Sequence, residues 1–464
     1  MPPSTLPTES SRPALRRSVG AFTATCVVVA NVIGVGIFTT PGFLARDLGS
    51  PFAVLAIWVL GAILALAGAL AYSELGAAYP EAGGEYVYLR EAYGPFWGYL
   101  SGWTSFFIGF SAPIAAAAIG VSAYLSHFAP GLSPQNMLWS GSLAGLPLRL
   151  SGAQVAALVL VWALTWIHIS GVRQGGRMQV ALTTGKIVAI TALIMFGLWL
   201  GRGEWGNLGS GPAGLLPDMA FRNGAISLIF VLYSYSGWNA AAYLAGEMRD
   251  PHRTIPLSLL GGTVTVAALY LGLNLLFLYG LGLDGMSGVL QVGEKAALAL
   301  FGPLGAHLVS AMMAISILAS ASAMILAGPR VYFAMASDGV FPRRLAGVHP
   351  RYGSPAAAIL LQSAWTSLLV LTGTFEQLVV YSGFVLVLFS AFSVAAVIVL
   401  RWRRPALVRP FRTPFYPYAP LLFIGFSVWI LIFTLRGRPT ESLLGIATVL
   451  VGLPLYFFWR RRPR

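Results

Sequence analysis

Twelve stretches of mostly apolar residues, each long enough to cross a bilayer at about 20 residues per crossing, confine this chain to one kind of solvent. They lie near 19–45, 52–79, 95–128, 151–170, 177–201, 220–246, 257–282, 301–334, 355–373, 377–400, 419–436 and 440–459. In hydrocarbon every backbone N–H and C=O must be bonded within the protein, so the expected fold is all-α with twelve transmembrane helices. Only 9% of the residues are charged and 57% are hydrophobic, against about 25% charged in a soluble domain. The net charge of +14 would suggest nucleic acid in a soluble protein, but here the arginines flank apolar runs and report topology. The expected surroundings are the lipid bilayer, with no nucleic acid. An even number of spans puts both termini on one side. The loops of that side hold 20 of the 29 lysines and arginines, from Arg12, Arg16 and Arg17 to Arg464, against 7 on the other, so both termini are expected in the cytoplasm of an inner (plasma) membrane protein. The polar, arginine-bearing start, residues 1–18, marks the first run as a spanning helix rather than a cleaved signal. Cys26 is alone, which excludes an internal disulfide.

The third and eighth runs exceed a perpendicular span and are expected to tilt or to extend into solvent. The outer loops 129–150 and 202–219 are rich in Gly, Pro and Ser and are not expected to carry chemistry. Residues 401–420 mix arginine, proline and aromatics and read as a cytoplasmic connector near lipid headgroups.

Two of the helices are interrupted. The first carries Asn31-Val32-Ile33-Gly34-Val35-Gly36-Ile37-Phe38, where two glycines one residue apart weaken the helix by roughly 1 kcal/mol each. A helix opened at mid-membrane is tolerated where its freed groups line a polar cavity. The half that restarts offers a partly positive N-terminus to a carboxylate, and the half that ends offers carbonyls to an ammonium. Alternatively, the glycines serve only close helix packing. The second interruption, Tyr233-Ser234-Tyr235-Ser236-Gly237-Trp238-Asn239, falls in helix six. Breaks at matching positions in two five-helix halves point to a transporter site between inverted repeats, here 19–201 and 220–400, with 401–464 adding helices eleven and twelve and the tail.

Four motifs carry a family likeness. Gly34-Val35-Gly36-Ile37-Phe38 with Pro41-Gly42 and Tyr72-Ser73-Glu74-Leu75-Gly76 with Gly83-Gly84 are two of them. Tyr235-Ser236-Gly237-Trp238-Asn239 with Gly246-Glu247-Met248-Arg249-Asp250-Pro251, and Arg330-Val331 with Asp338-Gly339 and His349-Pro350-Arg351-Tyr352-Gly353-Ser354-Pro355, complete the set. Together they resemble the amino acid–polyamine–organocation superfamily, and more narrowly its L-type amino acid transporter branch, over about 19–400. The resemblance implies a 5+5 inverted repeat and an amino acid as substrate. It implies a carboxylate on the amides of Gly34, Val35 and Gly36, at the start of the half-helix that includes Ile37. It also implies an amine on carbonyls near Val32 and Ile33 and on Tyr233, Ser234 and Ser236, beside Gly237, with Tyr233 shielding the site from outside. Val35 departs from the family's serine, which puts one side-chain hydrogen bond to the carboxylate in doubt.

Lys186 lies about 13 Å into helix five. An intramembrane lysine costs roughly 2.5–3.5 kcal/mol even on insertion scales and is a functional hypothesis by default. In the family a lysine on helix five occupies the place where sodium-coupled relatives hold sodium, which implies sodium independence and leaves exchange or proton coupling open. Glu74 and Glu247 read as loop-side charges or helix-end partners. The five histidines are scattered without metal-ligand spacing, so no metal, cofactor or catalytic residue is expected. Every acid reads as lying at a helix end or in a loop. Small residues on helix eight (Ala314, Ser316, Ala319, Ser320, Ala321) read as room for a modest side chain. The expected function is therefore alternating-access transport of neutral amino acids, with a cationic amino acid or polyamine carrier as the alternative. A channel or an intramembrane enzyme is the rival class, and the oligomeric state is left open.

Overall fold

The apolar runs fold as helices at the expected places. The computed structural model describes residues 17, 19–143, 146–170, 172–209, 217–372 and 375–460. Most of the tail expected over 1–18 therefore lies outside the described residues, as do 210–216 and the arginines beyond 460. The first half comprises α1 (Ala21–Val32), α2 (Gly36–Leu48), α3 (Pro51–Ala78), α4 (Glu85–Tyr93), α5 (Pro95–Thr104), α6 (Ser111–Leu125), α7 (Gly152–Ile169) and α8 (Val172–Leu200). The second comprises α9 (Pro217–Tyr235), α10 (Ala240–Tyr243), α11 (Pro251–Met286), α12 (Val292–Ala327), α13 (Pro329–Ser337), α14 (Ala356–Thr372) and α15 (Phe375–Arg403). Two more, α16 (Tyr418–Gly437) and α17 (Pro439–Arg460), complete the order. Among the described residues nine helices are long and apolar enough to span, α1 with α2 forms a tenth span bent by 40°, and Asn223–Tyr235 and Ala356–Thr372 are shorter apolar helices. This is an all-α multipass membrane protein.

The outer loop 129–150 carries a small sheet. Strands β1 (Met137–Leu143) and β2 (Leu146–Ser151) pair as an antiparallel hairpin, Ser140 opposite Arg149. A long loop that pairs with itself satisfies its own backbone groups.

The long third span contains a π-helical turn, Ser105–Phe110, between α5 and α6. The long eighth span bends at Gly302, which lies at φ 76° ahead of Pro303. At the centre α1 packs against α8, α11 and α12, while α2 packs against α9 and α11. The α1–α2 and α9–α10 spans therefore lie side by side with their breaks level.

The side on which α1 begins, called the near side below, is tied by buried ion pairs. Glu74, at the end of α3, accepts from Arg401 Nε (2.9 Å) and Nη2 (2.6 Å) and from the Thr413 amide (2.7 Å), and forms an ion pair with Arg409 Nε at 3.3 Å. The basic connector is therefore pinned to helix two and does more than lie at the headgroups. Glu247 accepts from Arg330 Nε at 3.0 Å, both side chains buried, and Val19 bridges to Met248. Removing one member of a buried pair leaves an uncompensated charge, which costs about 3–5 kcal/mol. Arg330→Ala is accordingly expected to lower the melting temperature of the detergent-solubilised protein sharply, and Glu247→Gln less so. Equal melting of Arg330→Ala and parent would deny the pair its role.

Candidate functional site

The first break is where the glycines place it: α1 ends at Val32, Ile33 to Val35 are non-helical, and α2 restarts at Gly36. The second spans Ser236 to Asn239, with Gly237 at φ 97°. That positive φ is a conformation that side-chain-bearing residues rarely adopt. A Cβ there would also stand 2.9 Å from Asn31 Cβ and 3.0 Å from its carbonyl carbon.

The freed backbone groups divide into two sets. Among the described residues the Val35 amide donates to no backbone carbonyl, and the Gly36 and Ile37 amides open the first turn of α2, where no intrahelical acceptor exists. Such neighbouring amides at a helix N-terminus can hold an anion. The Gly34 amide is already used, donating to Val32 O at 2.8 Å. Several of the carbonyls are occupied. Lys186 Nζ donates to Ile33 O at 2.6 Å and lies 3.5 Å from Ala30 O. The Tyr270 hydroxyl, with its single proton, lies 2.7 Å from Val32 O and 2.8 Å from Ser234 O, so it ties one broken helix to the other. Tyr233 O accepts from the Ser236 amide (3.0 Å) and from its hydroxyl (2.6 Å). Of the carbonyls expected for an amine, those of Val32, Ile33, Tyr233 and Ser234 are thus met by the protein itself in this conformation, whereas no donor to Ser236 O is found among the described residues. A short polypeptide segment carries fixed dipoles that a low-dielectric interior cannot leave unpaired, and Lys186 and Tyr270 answer them.

A small pocket adjoins the second break, walled by Asn31, Ser105, Phe110, Asn239, Tyr243 and Met324 among others. Of the expected binding residues only Ser236 and Gly237 line it. Gly34 is half-buried, and Val32, Ile33, Val35, Gly36, Ile37, Tyr233 and Ser234 are buried. Gly36 faces α9 so closely that a Cβ would lie 2.5 Å from Ser234 Oγ and 2.9 Å from Ser234 Cα. Close helix packing, the alternative weighed for the glycines, is therefore what Gly36 does here. The small residues of helix eight are buried and do not wall the pocket. Ser320 donates to Asn31 O (3.3 Å), and Ala319 O accepts from Gln179 (3.2 Å).

Sequence reasoning missed the burial of one acid. Glu85, read as a loop charge, opens α4 and is 3% exposed, with the Tyr72 hydroxyl donating to it and Asn239 Nδ2 donating at 3.0 Å. Burial pushes its carboxyl up, opposed by the hydrogen bonds from Tyr72, Asn239 and Ser390. Nothing in the local sequence separates Glu85 from Glu81. Asn31, Asn239 and Tyr270 were missed as well, although a polar residue inside an apolar run was a usable signal for the two asparagines.

The scattered histidines proved partly clustered. His127 Nε2 meets His307 Nδ1 on the far side, and His127 Nδ1 lies 2.7 Å from Glu294. Among the described residues no group of three such ligands could hold a metal ion. Ser236 donates to Tyr233 O, and His307 contacts His127 on the far side.

The amino acid permease family model matches residues 19–454. The chain is 32% identical over 454 residues to the serine/threonine exchanger SteT of Bacillus subtilis, covering 97% of this chain and 98% of that protein. It is 29% identical over 470 residues to large neutral amino acids transporter small subunit 2 of Mus musculus, covering 97% and 83%. It is 28% identical over 472 residues to Asc-type amino acid transporter 1 of Mus musculus, covering 98% and 84%.

Proposed function

The chain belongs to the amino acid permease family and is a multipass membrane transporter of amino acids, and on that premise we propose a sodium-independent carrier of neutral amino acids that works by alternating access. The observation that carries this reading is the pair of level breaks, with the amides of Val35 and Gly36, unpartnered among the described residues, on one half-helix and Lys186 on Ile33 O. The amides receive the substrate carboxylate, and the loss of a serine hydroxyl at Val35 leaves that backbone site intact. Lys186 stands where a cation would otherwise be needed to satisfy the carbonyls of the break, which removes the call for sodium. Residues 19–201 and 220–400 form the two inverted repeats, and both termini face the cytoplasm of the plasma membrane, where the excess of arginine lies.

The neutral preference has two supports. The printed names of the relatives are those of a serine/threonine exchanger and a large neutral amino acids transporter. In addition, no acid walls the pocket. A cationic amino acid or polyamine would carry a further charge into low dielectric, at a cost of several kcal/mol unless paired.

The test is a panel of radiolabelled amino acids in proteoliposomes, with and without amino acid inside. Saturable uptake stimulated by internal amino acid is expected. Alanine, serine, leucine and methionine are expected to compete for it, and arginine, agmatine and glutamate are not at similar concentrations. Competition by arginine about tenfold stronger than by every neutral amino acid would promote the cationic carrier. Unsaturable conductance would indicate a channel.

A further inference from the structure

Glu85 is a buried carboxyl with no cation beside it. It opens α4 on the near side, after the turn at Gly83 and Gly84, and is 3% exposed. From α3 it faces Tyr72, whose hydroxyl donates to it, and from α4 it faces Tyr88. From beyond the second break it faces Asn239, which donates at 3.0 Å, and Tyr243, and from α15 it faces Ser390. None of these carries a charge. The charged members of α4 are engaged elsewhere, Arg90 with Glu81, Glu91 and Asp338, and Glu91 also with Arg404. Among the described residues no salt bridge involves Glu85. A carboxylate sealed from water without a countercharge is so costly that such a group holds a proton instead. Burial accordingly pushes this carboxyl up, against the pull of its three hydrogen bonds.

What seals Glu85 is the segment that follows the second break. A Cβ on Gly84 would stand 2.6 Å from Tyr243 Cδ1, so α10 rests directly on the turn that carries the acid. The same segment continues to Gly246, where a Cβ would lie 3.2 Å from the Ala82 nitrogen, and on to Glu247 and Met248. It is fastened at its end to the start of α1 and to α13. The Val19 amide donates to Glu247 O (2.9 Å), the Arg249 amide donates to Val19 O (2.9 Å), and Arg330 pairs with the Glu247 side chain. These contacts close the near side over Glu85. A carrier that alternates access must part them to open this side, and parting them lifts the cover and lets water reach the carboxyl.

We propose that Glu85 is a proton site, filled while the near side is closed and emptied into near-side water as that side opens. This rests on the reading of the chain as an alternating-access carrier and adds a control on when it opens. On opening, the O–H bond of the carboxyl breaks and its proton passes to near-side water. On closing, a proton returns from the same water, so none crosses the membrane. The closed state therefore binds one proton more than the open state. Below the ordinary carboxyl value of 4.5 the group is neutral in both states and does not bias opening. Between that value and the raised value of the closed state, each unit of pH eases opening by up to about tenfold, and above it the bias is constant. An alkaline near side thus favours opening, and an acidic one holds it shut.

The test reads near-side opening directly. Ala245 lies in the covering segment and is 0% exposed. Ala245→Cys is made in a Cys26→Ala background, and its labelling by a water-soluble maleimide is timed in detergent from pH 5 to 8. Each rate is divided by that of the same protein carrying Glu85→Gln. The quotient cancels the pH dependence of the thiol and of every other titrating group, Lys186 included. Glutamine imitates the neutral acid, because its oxygen can accept from Tyr72 and Asn239 while its amide donates to Ser390. The quotient should rise by about threefold or more across this range. A flat quotient, the result for an acid that is merely structural and neutral throughout, overturns the proposal. So does an Ala245→Cys protein that transports serine and never labels. Should Glu85→Gln not assemble, Tyr72→Phe decides in its place. Removing a donor that favours the ionised form should move the rise in labelling to higher pH, and a rise at unchanged pH is equally fatal. A parent that takes up no serine in proteoliposomes sinks the underlying carrier reading, whereas intact uptake with a flat quotient sinks only this assignment.

Discussion

Replacing Lys186 by alanine is expected to reduce uptake by about 100-fold or more while leaving a protein that can still be purified. Lys186 is 4% exposed, and its ammonium donates to Ile33 O at 2.6 Å, a carbonyl for which no backbone donor is found among the described residues. A hydrogen bond from a charged donor contributes about 1.5–3 kcal/mol, and the orphaned carbonyl costs a further 1–3 kcal/mol or so. That total exceeds what is needed to let the break rewind or shift, and each 1.36 kcal/mol is about tenfold in rate. Lys186→Met, which keeps the length of the side chain, is expected to fail as badly, since the donor rather than the volume matters. Lys186→Arg should also fail, because a planar fork does not replace a compact ammonium in a closed site. Parent uptake should be the same in choline as in sodium. A strict sodium requirement in the parent, or full activity of the methionine variant, would remove Lys186 from the mechanism. A pH dependence of uptake that disappears in the methionine variant would assign a coupled proton to this amine.

The second large effect is expected at Gly36, and it concerns assembly before binding. From the sequence, a leucine there reads as a blocked carboxylate site in a protein that still folds. The contact with α9 changes that expectation: even a methyl group would lie 2.5 Å from Ser234 Oγ and 2.9 Å from Ser234 Cα. A backbone atom of a packed helix cannot step aside as the end of a flexible side chain can. Overpacking of this kind costs about 1–3 kcal/mol for small additions and more for larger ones. The Thr40–Ser234 contact (3.0 Å) beside it would be pushed apart too. Gly36→Leu should therefore give aggregated protein on size-exclusion chromatography, and Gly36→Ala a clearly lowered melting temperature. Gly34→Ala offers the contrast. Its Cβ would meet Ser320 Oγ at 3.0 Å, a hydroxyl that can rotate, so that variant should fold and lose affinity only modestly. A monodisperse Gly36→Leu protein that melts like the parent and lacks only substrate binding would show that the α2–α9 contact is dispensable.

The sequence alone was sufficient for whatever depends on hydropathy and local backbone chemistry. Runs of some twenty apolar residues have one solution in hydrocarbon, so the helices and their order follow without tertiary information. Gly34, Gly36 and Gly237 mark the two interruptions because glycine is where a helix opens most cheaply, and Lys186 stands out because a charge at membrane depth needs a reason. What the amino acids around those breaks touch was decided only by packing. Whether Gly36 faces a substrate or a neighbouring helix depends on how α2 lies on α9, a relation between residues 194–198 positions apart in sequence, such as Gly36 or Thr40 with Ser234. Glu85 is indistinguishable from Glu81 in the chain, yet one is buried against Asn239 and the other exposed, because the turn at Gly83 and Gly84 swings α4 under the bundle. Likewise Tyr270, an ordinary aromatic in an apolar helix, reaches the carbonyls of both breaks across 238 and 36 residues of chain. Hydropathy is a property of each segment by itself and is legible residue by residue. Satisfying the carbonyls and amides that a broken helix exposes is a property of the whole assembly, since in a medium without water each such group must find its partner on another element, and only the folded arrangement of α3, α4, α8, α9 and α11 around α1 determines which one.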